Sequence, residues 1–283
     1  MRYIVDHDLH IHSWISPCAG GDKRQSTDFI LKTALENGYS KICLTDHFWD
    51  EKVPGAEKCC YRKQTFAHLC EALPLPQHEK VQFFFGCEAE MDMHDQIAIT
   101  GETIDRFDFV IIPTTHLHFE GLTIDPSDRS IERRAARWVE RFDALLNMEL
   151  PFYKMGIAHL TTALIVPPEE TRQKRQESLI KCLDLISDDE FAGLFTRAAK
   201  CGLGIEINLD PYCYEEAQLE GILRPYRIAK KCGCKFYFGS DAHVPEEFVG
   251  TKERAEKLVE LLNLEETDKF LLTANEPGQG LRS

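Results

Sequence analysis

The chain has 283 residues, 43% of them hydrophobic, and a formal charge of −14. That is enough apolar mass for one large core, and the wrong sign for broad capture of nucleic acid, which needs a basic face. No run approaches the ~18 apolar residues of a membrane span, residues 1–7 lack the apolar stretch of a signal peptide, and eleven cysteines without a CxxC pair predict reduced thiols rather than a disulfide framework or zinc ribbon.

These features predict a cytoplasmic protein with no membrane or nucleic-acid partner; they leave its oligomeric state open. Along the chain, Tyr3-Ile4-Val5 leads into Asp8-Leu9-His10-Ile11-His12, extended by pattern. Period-two alternation sets Asp8, His10 and His12 on one face and turns Leu9 and Ile11 toward surrounding helices. Ser26, Thr27 or Asp28 can cap a helix carrying Phe29, Ile30, Ala34 and Leu35 at helical spacing, and Gly38 stops it. Residues 41–44 form the second predicted strand. Residues 83–85, 109–112, 155–158, 203–207 and 236–238 follow as apolar runs suited to strands buried on both faces. Helical periodicity occupies 131–147, 171–186, 191–201, 219–232 and 252–262. The alternation predicts an α/β barrel of seven parallel strands in one domain over 1–273, with 274–283 a loosely ordered tail. Two longer stretches, 49–80 and 118–128, interrupt the rhythm and are expected to shape specificity at the rim.

Nearly every predicted strand ends in a histidine or a carboxylate: His10 and His12, Asp46-His47, Glu88, His116, His159, Glu206 with Asn208, and Asp241 with His243. A parallel barrel gathers its strand ends on one rim, so residues more than two hundred positions apart converge there. The predicted result is a polynuclear metal site. An HxH pair offers two imidazoles on one side of the backbone, and Glu88 or Asp241 can bridge two ions at the ~3.5–4 Å used in two-metal hydrolysis.

Four of these motifs, Asp8-Leu9-His10-Ile11-His12, Thr45-Asp46-His47, Gly86-Cys87-Glu88 and Gly239-Ser240-Asp241-Ala242-His243, resemble those of the PHP (polymerase and histidinol phosphatase) superfamily. The resemblance covers nearly the whole chain. It implies a distorted seven-stranded (β/α)7 barrel of the TIM-like type holding two or three divalent ions, for which zinc, manganese or iron suit the donors. By motif position, His10, His12, Asp241 and a bridging Glu88 would hold the first ion. Glu88, His116 and His159 would hold the second, and His47 and His243 a third, completed by Cys18 where the family usually has a histidine. Residues 114–125 and 241–250 resemble the histidinol-phosphatase branch.

The implied activity is a phosphoesterase that hydrolyses a small phosphomonoester, histidinol phosphate-like, by in-line attack of metal-activated hydroxide. Glu88, Asp241 and His243 would carry catalysis, with His118 contacting substrate or protonating the leaving group. Arg129, Arg133, Arg134 and Arg224 are candidate phosphate clamps, and Asn208 a substrate contact. Leu209-Asp210-Pro211 departs from the small polar residues that follow this asparagine in the branch. Asp8 and Asp46 are expected to orient imidazoles, whereas His7, His68, His78 and His94 match no motif and are expected at the surface or in loops. The alternatives are an amidohydrolase, a phosphodiesterase or exonuclease, and a metal-binding regulatory module without catalysis. Asp46-His47, Glu88 and the Asp241-Ala242-His243 pairing favour the phosphoesterase.

Overall fold

The structure, a computed structural model, describes residues 1–57, 59–209 and 213–272; the expected tail 274–283 and the Asp210-Pro211 departure lie outside the described residues. Strands and helices alternate as β1 (His7–Ile11), α1 (Thr27–Asn37), β2 (Lys41–Leu44), β3 (His47–Phe48), α2 (Phe66–Leu69), β4 (Gln82–Phe85), β5 (Cys87–Ala89), α3 (Gly101–Ile104), β6 (Val110–Ile112), α4 (Ile131–Leu146), β7 (Met155–Ile157), α5 (Arg172–Asp184), α6 (Asp188–Cys201), β8 (Gly204–Ile207), α7 (Glu216–Lys231), β9 (Lys235–Phe238) and α8 (Thr251–Leu261). Local chemistry sets the boundaries of α1. The Ser26 side chain accepts from the Phe29 amide, and Gly38 ends the helix in the left-handed region at φ 68°.

All the strand pairs are parallel, in two sheets ordered β1-β2-β4 and β3-β5-β6-β7-β8-β9. This is the expected α/β, TIM-like class, but among the described residues there are nine strands rather than seven, and the two sheets do not close into one ladder. Two strands are interrupted where the site begins. β2 passes into β3 through Thr45-Asp46, and β4 into β5 through Gly86. Gly86 has no room for a side chain: a Cβ there would lie 2.5 Å from the Phe109 carbonyl oxygen.

Among the described residues, β1 pairs with the chain around β9 through a single bridge, Ile11 to Ala242 in the segment after β9, and side chains replace the missing ladder. His7 Nε2 accepts from the Phe238 amide at 3.0 Å, and Asp8 Oδ1 accepts from the Ser240 amide at 3.0 Å. His7 is therefore buried in a seam, not at the surface or in a loop as expected. The backbone groups of the seam are paired beyond these, by Asp241 N–H to His10 O at 2.8 Å and His12 N–H to Ala242 O at 3.1 Å.

Two apolar layers result. One, with Ile11, Ile42, Val110, Ile157 and Phe236 among its strand residues, packs against the helices. The other, Leu9, Cys43, Phe84, Phe109, Ile111, Ala158 and Tyr237 with Phe270 and Leu272, draws no residue from a helix and lies between the strands. The expectation that Leu9 and Ile11 share the helix-facing side is corrected here. A register shift between Asp8 and Ile11 breaks the alternation, so Leu9 joins the inner layer and Ile11 the outer. No helix among the described residues is long and apolar enough to cross a membrane.

Candidate metal centre

Three groups of side chains bring their ligand atoms within 4.8 Å of one another: His10, His12 and Glu88; Glu88, His116 and His159; and His12, His47 and His243. Glu88 lies at the middle. Its Oε2 is 3.6 Å from His10 Nε2, 3.5 Å from His12 Nε2 and 2.9 Å from His47 Nδ1. Its Oε1 faces the other way, 3.5 Å from His159 Nε2 and 3.8 Å from His116 Nε2. Asp241 Oδ1 completes the first group at 3.3 Å from His10 Nε2 and 3.1 Å from His12 Nε2.

Strand geometry places some of these groups directly. His47 and Glu88 are Cα partners across β3 and β5, so the pleat turns both side chains to one face. Others stand beyond their strands on constrained backbone. His159 has φ 26° and Asp241 φ 55°, left-handed values that non-glycine residues adopt at a cost and that cluster at functional sites. Gly239 lets this segment close in, because a Cβ there would lie 2.5 Å from His10 Cβ and 2.9 Å from the Glu206 carboxyl carbon.

Most of the outer imidazole nitrogens are held. His10 Nδ1 donates to Glu206 Oε2 at 2.6 Å and His116 Nδ1 to Glu90 Oε2 at 2.9 Å, which leaves each Nε2 with its lone pair turned inward. His12 Nδ1 is 2.9 Å from Ser16 Oγ, whose proton goes to Asp46 Oδ1 at 2.8 Å. The serine must then accept from His12, so Asp46 orients this imidazole through one hydroxyl. His159 Nδ1 meets Thr115 Oγ1 at 2.9 Å, and His243 Nδ1 the Asp241 carbonyl at 2.8 Å.

The buried charges act strongly on one another. Burial prevails at His12, which also faces His243, and its pKa falls well below the ordinary value. At His10, burial is outweighed by the carboxylates of Glu206, Asp241 and Glu88; at His159, burial is outweighed by Glu88, Asp241 and Glu206, and the pKa rises to about 9. Burial would raise Glu88 and Asp241, yet the surrounding histidines hold both well below the usual carboxylate range.

The donor set fits cations. Glu88 Oε1 is buried and has no hydrogen-bond partner, which is costly unless a positive charge sits beside it. Two ligands bound ~2.1 Å from one tetrahedral zinc lie ~3.4 Å apart, close to the 3.1–3.6 Å at which His10, His12, Asp241 and Glu88 stand. Cys18 Sγ is 3.4 Å from His47 Nε2. Burial would raise this thiol, but hydrogen bonds with His243 and His47 bring it down to about 6, so thiolate is available beside the third group.

Other expected residues lie elsewhere. Arg129 is solvent-exposed and paired with Glu120 at 2.9 Å. Arg224 is tied to the turn between α5 and α6, through Leu183 O at 3.1 Å, Ile186 O at 2.6 Å and Asp188 at 2.7 Å. Arg133 pairs on the surface with Asp128 and Glu140, and Arg134 is buried against the carbonyls of Leu117 and Ile165. Each guanidinium is thus committed to protein groups, and in these contacts none meets the cluster. Asp8 serves the β1–β9 seam rather than an imidazole. Asn208 donates to Glu206 Oε1 at 2.8 Å and lines a cleft of about 610 Å³ that also reaches Ser240, Asp241 and Arg254. His118 packs edge-on to His116 with ring centroids 5.0 Å apart. Burial, then the neighbouring His116, lowers its pKa to about 3, so its surroundings favour a neutral ring over a general acid.

Sequence reasoning missed Glu90, Ser16 and Thr115. Glu90 had a signal: two residues past Glu88, it falls on the same strand face. Ser16 and Thr115 act through loop geometry that no spacing encodes.

A sequence model of the PHP domain matches residues 8–194. No curated protein matches. Among solved structures, histidinol phosphate phosphatase from Lactococcus lactis subsp. lactis Il1403, complexed with zinc, L-histidinol and phosphate, aligns at TM-score 0.56 and 15% identity, covering 95% of this chain and 99% of that one. An archaeal ribonuclease P structure with mature tRNA aligns at TM-score 0.38 and 11% identity, covering 90% and 91%. The first likeness shows a shared fold; the second is too weak to carry an argument.

Proposed function

The chain belongs to the PHP domain family, and from that premise we propose that it is a metal-dependent phosphoesterase acting on a small phosphomonoester. The observation that carries this reading is the divided Glu88 carboxylate, with one oxygen toward His10, His12 and His47 and the other toward His116 and His159. A carboxylate so placed could serve two cations, one at each oxygen. His10, His12, Asp241 and Glu88 would hold one ion, and Glu88, His116 and His159 a second. His47, His243 and Cys18 would hold a third with a softer donor set. Bound divalent ions supply hydroxide at neutral pH and draw charge from phosphoryl oxygens.

The chain's own residues prepare that chemistry. Glu206, Glu90 and the Ser16–Asp46 relay hold His10, His116 and His12 with Nε2 turned inward. Asp241 lines the cleft of about 610 Å³, so a substrate entering there reaches the cluster directly, with Asn208 on the same wall. His118 contributes as a neutral hydrogen-bonding group beside His116. Residues 1–273 act as one unit. The leading named substrate is histidinol phosphate, the ester of the alcohol that accompanies phosphate in the Lactococcus enzyme.

The test is release of inorganic phosphate from a panel of phosphomonoesters by metal-stripped protein restored with zinc, manganese or iron, alongside cyclic amides and lactones. Phosphate release that depends on added metal supports the reading. Hydrolysis confined to amides or lactones would replace it with an amidohydrolase.

A further inference from the structure

We propose that helix α4 is the template for the second ion's ligands, with Arg134, Trp138 and Arg141 as positioning residues that fix His116 and His159 opposite Glu88; this rests on the metal reading above. The three side chains recur at i, i+4 and i+7 and so share one helix face. An ordinary packing face would be apolar. Here Arg141 is 0% and Arg134 3% exposed, and burying a guanidinium is expensive unless its N–H groups are matched.

The N–H groups that are matched meet main-chain carbonyls. Arg141 Nε donates to Thr114 O at 2.7 Å, Nη1 to Asp92 O at 2.7 Å and Thr123 O at 3.0 Å, and Nη2 to Met91 O at 2.9 Å. Arg134 Nη1 donates to Leu117 O and, at 3.0 Å, to Ile165 O, while its Nε is buried without a partner. Trp138 Nε1 donates to Leu160 O at 3.1 Å. Three of these carbonyls belong to the residue directly after a site group: Met91 follows Glu90, Leu117 follows His116, and Leu160 follows His159. Thr114 lies two before His116, and Thr123 closes the loop holding His118 by donating from its amide to Phe119 O.

The helix therefore grips the backbone on both sides of His116 and next to His159. It brings together loops that leave three different strands, β5, β6 and β7. The two imidazoles end nearly parallel, with centroids 5.0 Å apart and 19° between planes, and both Nε2 atoms meet Glu88 Oε1. The acceptors are all main-chain oxygens, so the loops are held whatever the ligands bind, which is preorganisation of a site before its ion arrives. Burial draws Arg141 down to about 10, and it stays charged at neutral pH. A lysine lacks the planar fork needed to reach several carbonyls at once.

The experiment compares metal titration of stripped wild-type protein with Arg134→Lys, Trp138→Phe and Arg141→Lys, each checked for fold by circular dichroism. Cobalt spectra and competition with a chromophoric chelator count the tight equivalents. Folded variants should lose affinity for one equivalent by ~10–100-fold, the range for groups that orient metal ligands, while the remaining equivalents bind as in wild type. Arg133→Ala, on the exposed side of the same helix, should titrate as wild type. Folded variants that titrate as wild type, or that weaken every equivalent alike, would overturn the assignment. If Arg141→Lys fails to fold, Trp138→Phe, which removes one hydrogen bond and keeps an aromatic ring, decides it. Failure of wild type to bind any metal would refute the metal reading instead.

Discussion

His47 with Glu88, and His116 with His159, are two contrasting ways of holding a ligand. The first pair lies within strands as register partners, and the ladder that aligns β3 and β5 also aims the side chains. The second pair lies in loops, four residues past β6 and two past β7, where no ladder reaches, and α4 grips the backbone around them. Ligands on strands are inexpensive to place and difficult to move. Ligands on loops need separate anchors, and those anchors are the points at which the site can be loosened selectively.

The largest expected effect would break both kinds of ligand together. Chelation should abolish phosphate release, and restored metal should recover it while stabilising the fold by about 2.7 kcal/mol per site at a hundredfold excess over Kd; activity surviving exhaustive chelation would refute the metal reading. Glu88→Gln, which keeps the shape and removes the charge shared by the two pairs, should lower turnover by more than ~100-fold, beyond the cost of losing an outer partner, and reduce the bound metal found by elemental analysis. A full metal complement in that variant would contradict the bridge.

The comparison sharpens at the outer partners. Glu90→Gln, acting on loop-held His116, should weaken metal binding by ~100-fold, and Glu206→Gln, acting on strand-held His10, by only ~10-fold, the two ends of the range for such partners. Equal losses would erase the distinction.

A pH series separates affinity from stability. His159 has its pKa raised to about 9 and must give up a proton to bind metal, so affinity should climb by up to ~tenfold per pH unit as pH rises toward 9. The stability of metal-stripped protein should move the other way. The contribution from His159 is complete below its unfolded value of ~6.5 and is lost as pH rises through 9. Titrations and urea melts from pH 6 to 10 would check both signs. The smallest effect is expected at Arg129, an exposed surface pair, where alanine should change stability by no more than ~0.5 kcal/mol and leave KM unaltered.

The strand ends were legible because two short-range rules act on them: apolar runs mark buried parallel strands, and alternation tells which residues share a face. His10, Glu88 and His47 could be read that way, and α1 could be bounded by Gly38 at its end and, at its start, to one of Ser26, Thr27 and Asp28, of which the structure uses Ser26. Arg129 and Arg224 could not be judged, since an arginine is a plausible phosphate clamp until its partners are known, and Arg224 finds its own in the α5–α6 turn. Leu9 misled because a register shift inside β1 cancels the alternation that placed it.

The residue pattern by itself determined the α/β class, the kinds of donor and their gathering on one rim, since these follow from periodicity and from parallel strands ending together. Tertiary structure alone decided that Glu88 turns one oxygen toward His10, His12 and His47 and the other toward His116 and His159, that side chains of β1 meet the backbone of β9 and of the segment after it, and that Arg134 of α4 holds carbonyls rather than phosphate. Those outcomes depend on contacts between segments far apart in the chain, where a side chain's partner is set by packing and by the need to satisfy every buried polar group, and neither is written in local spacing.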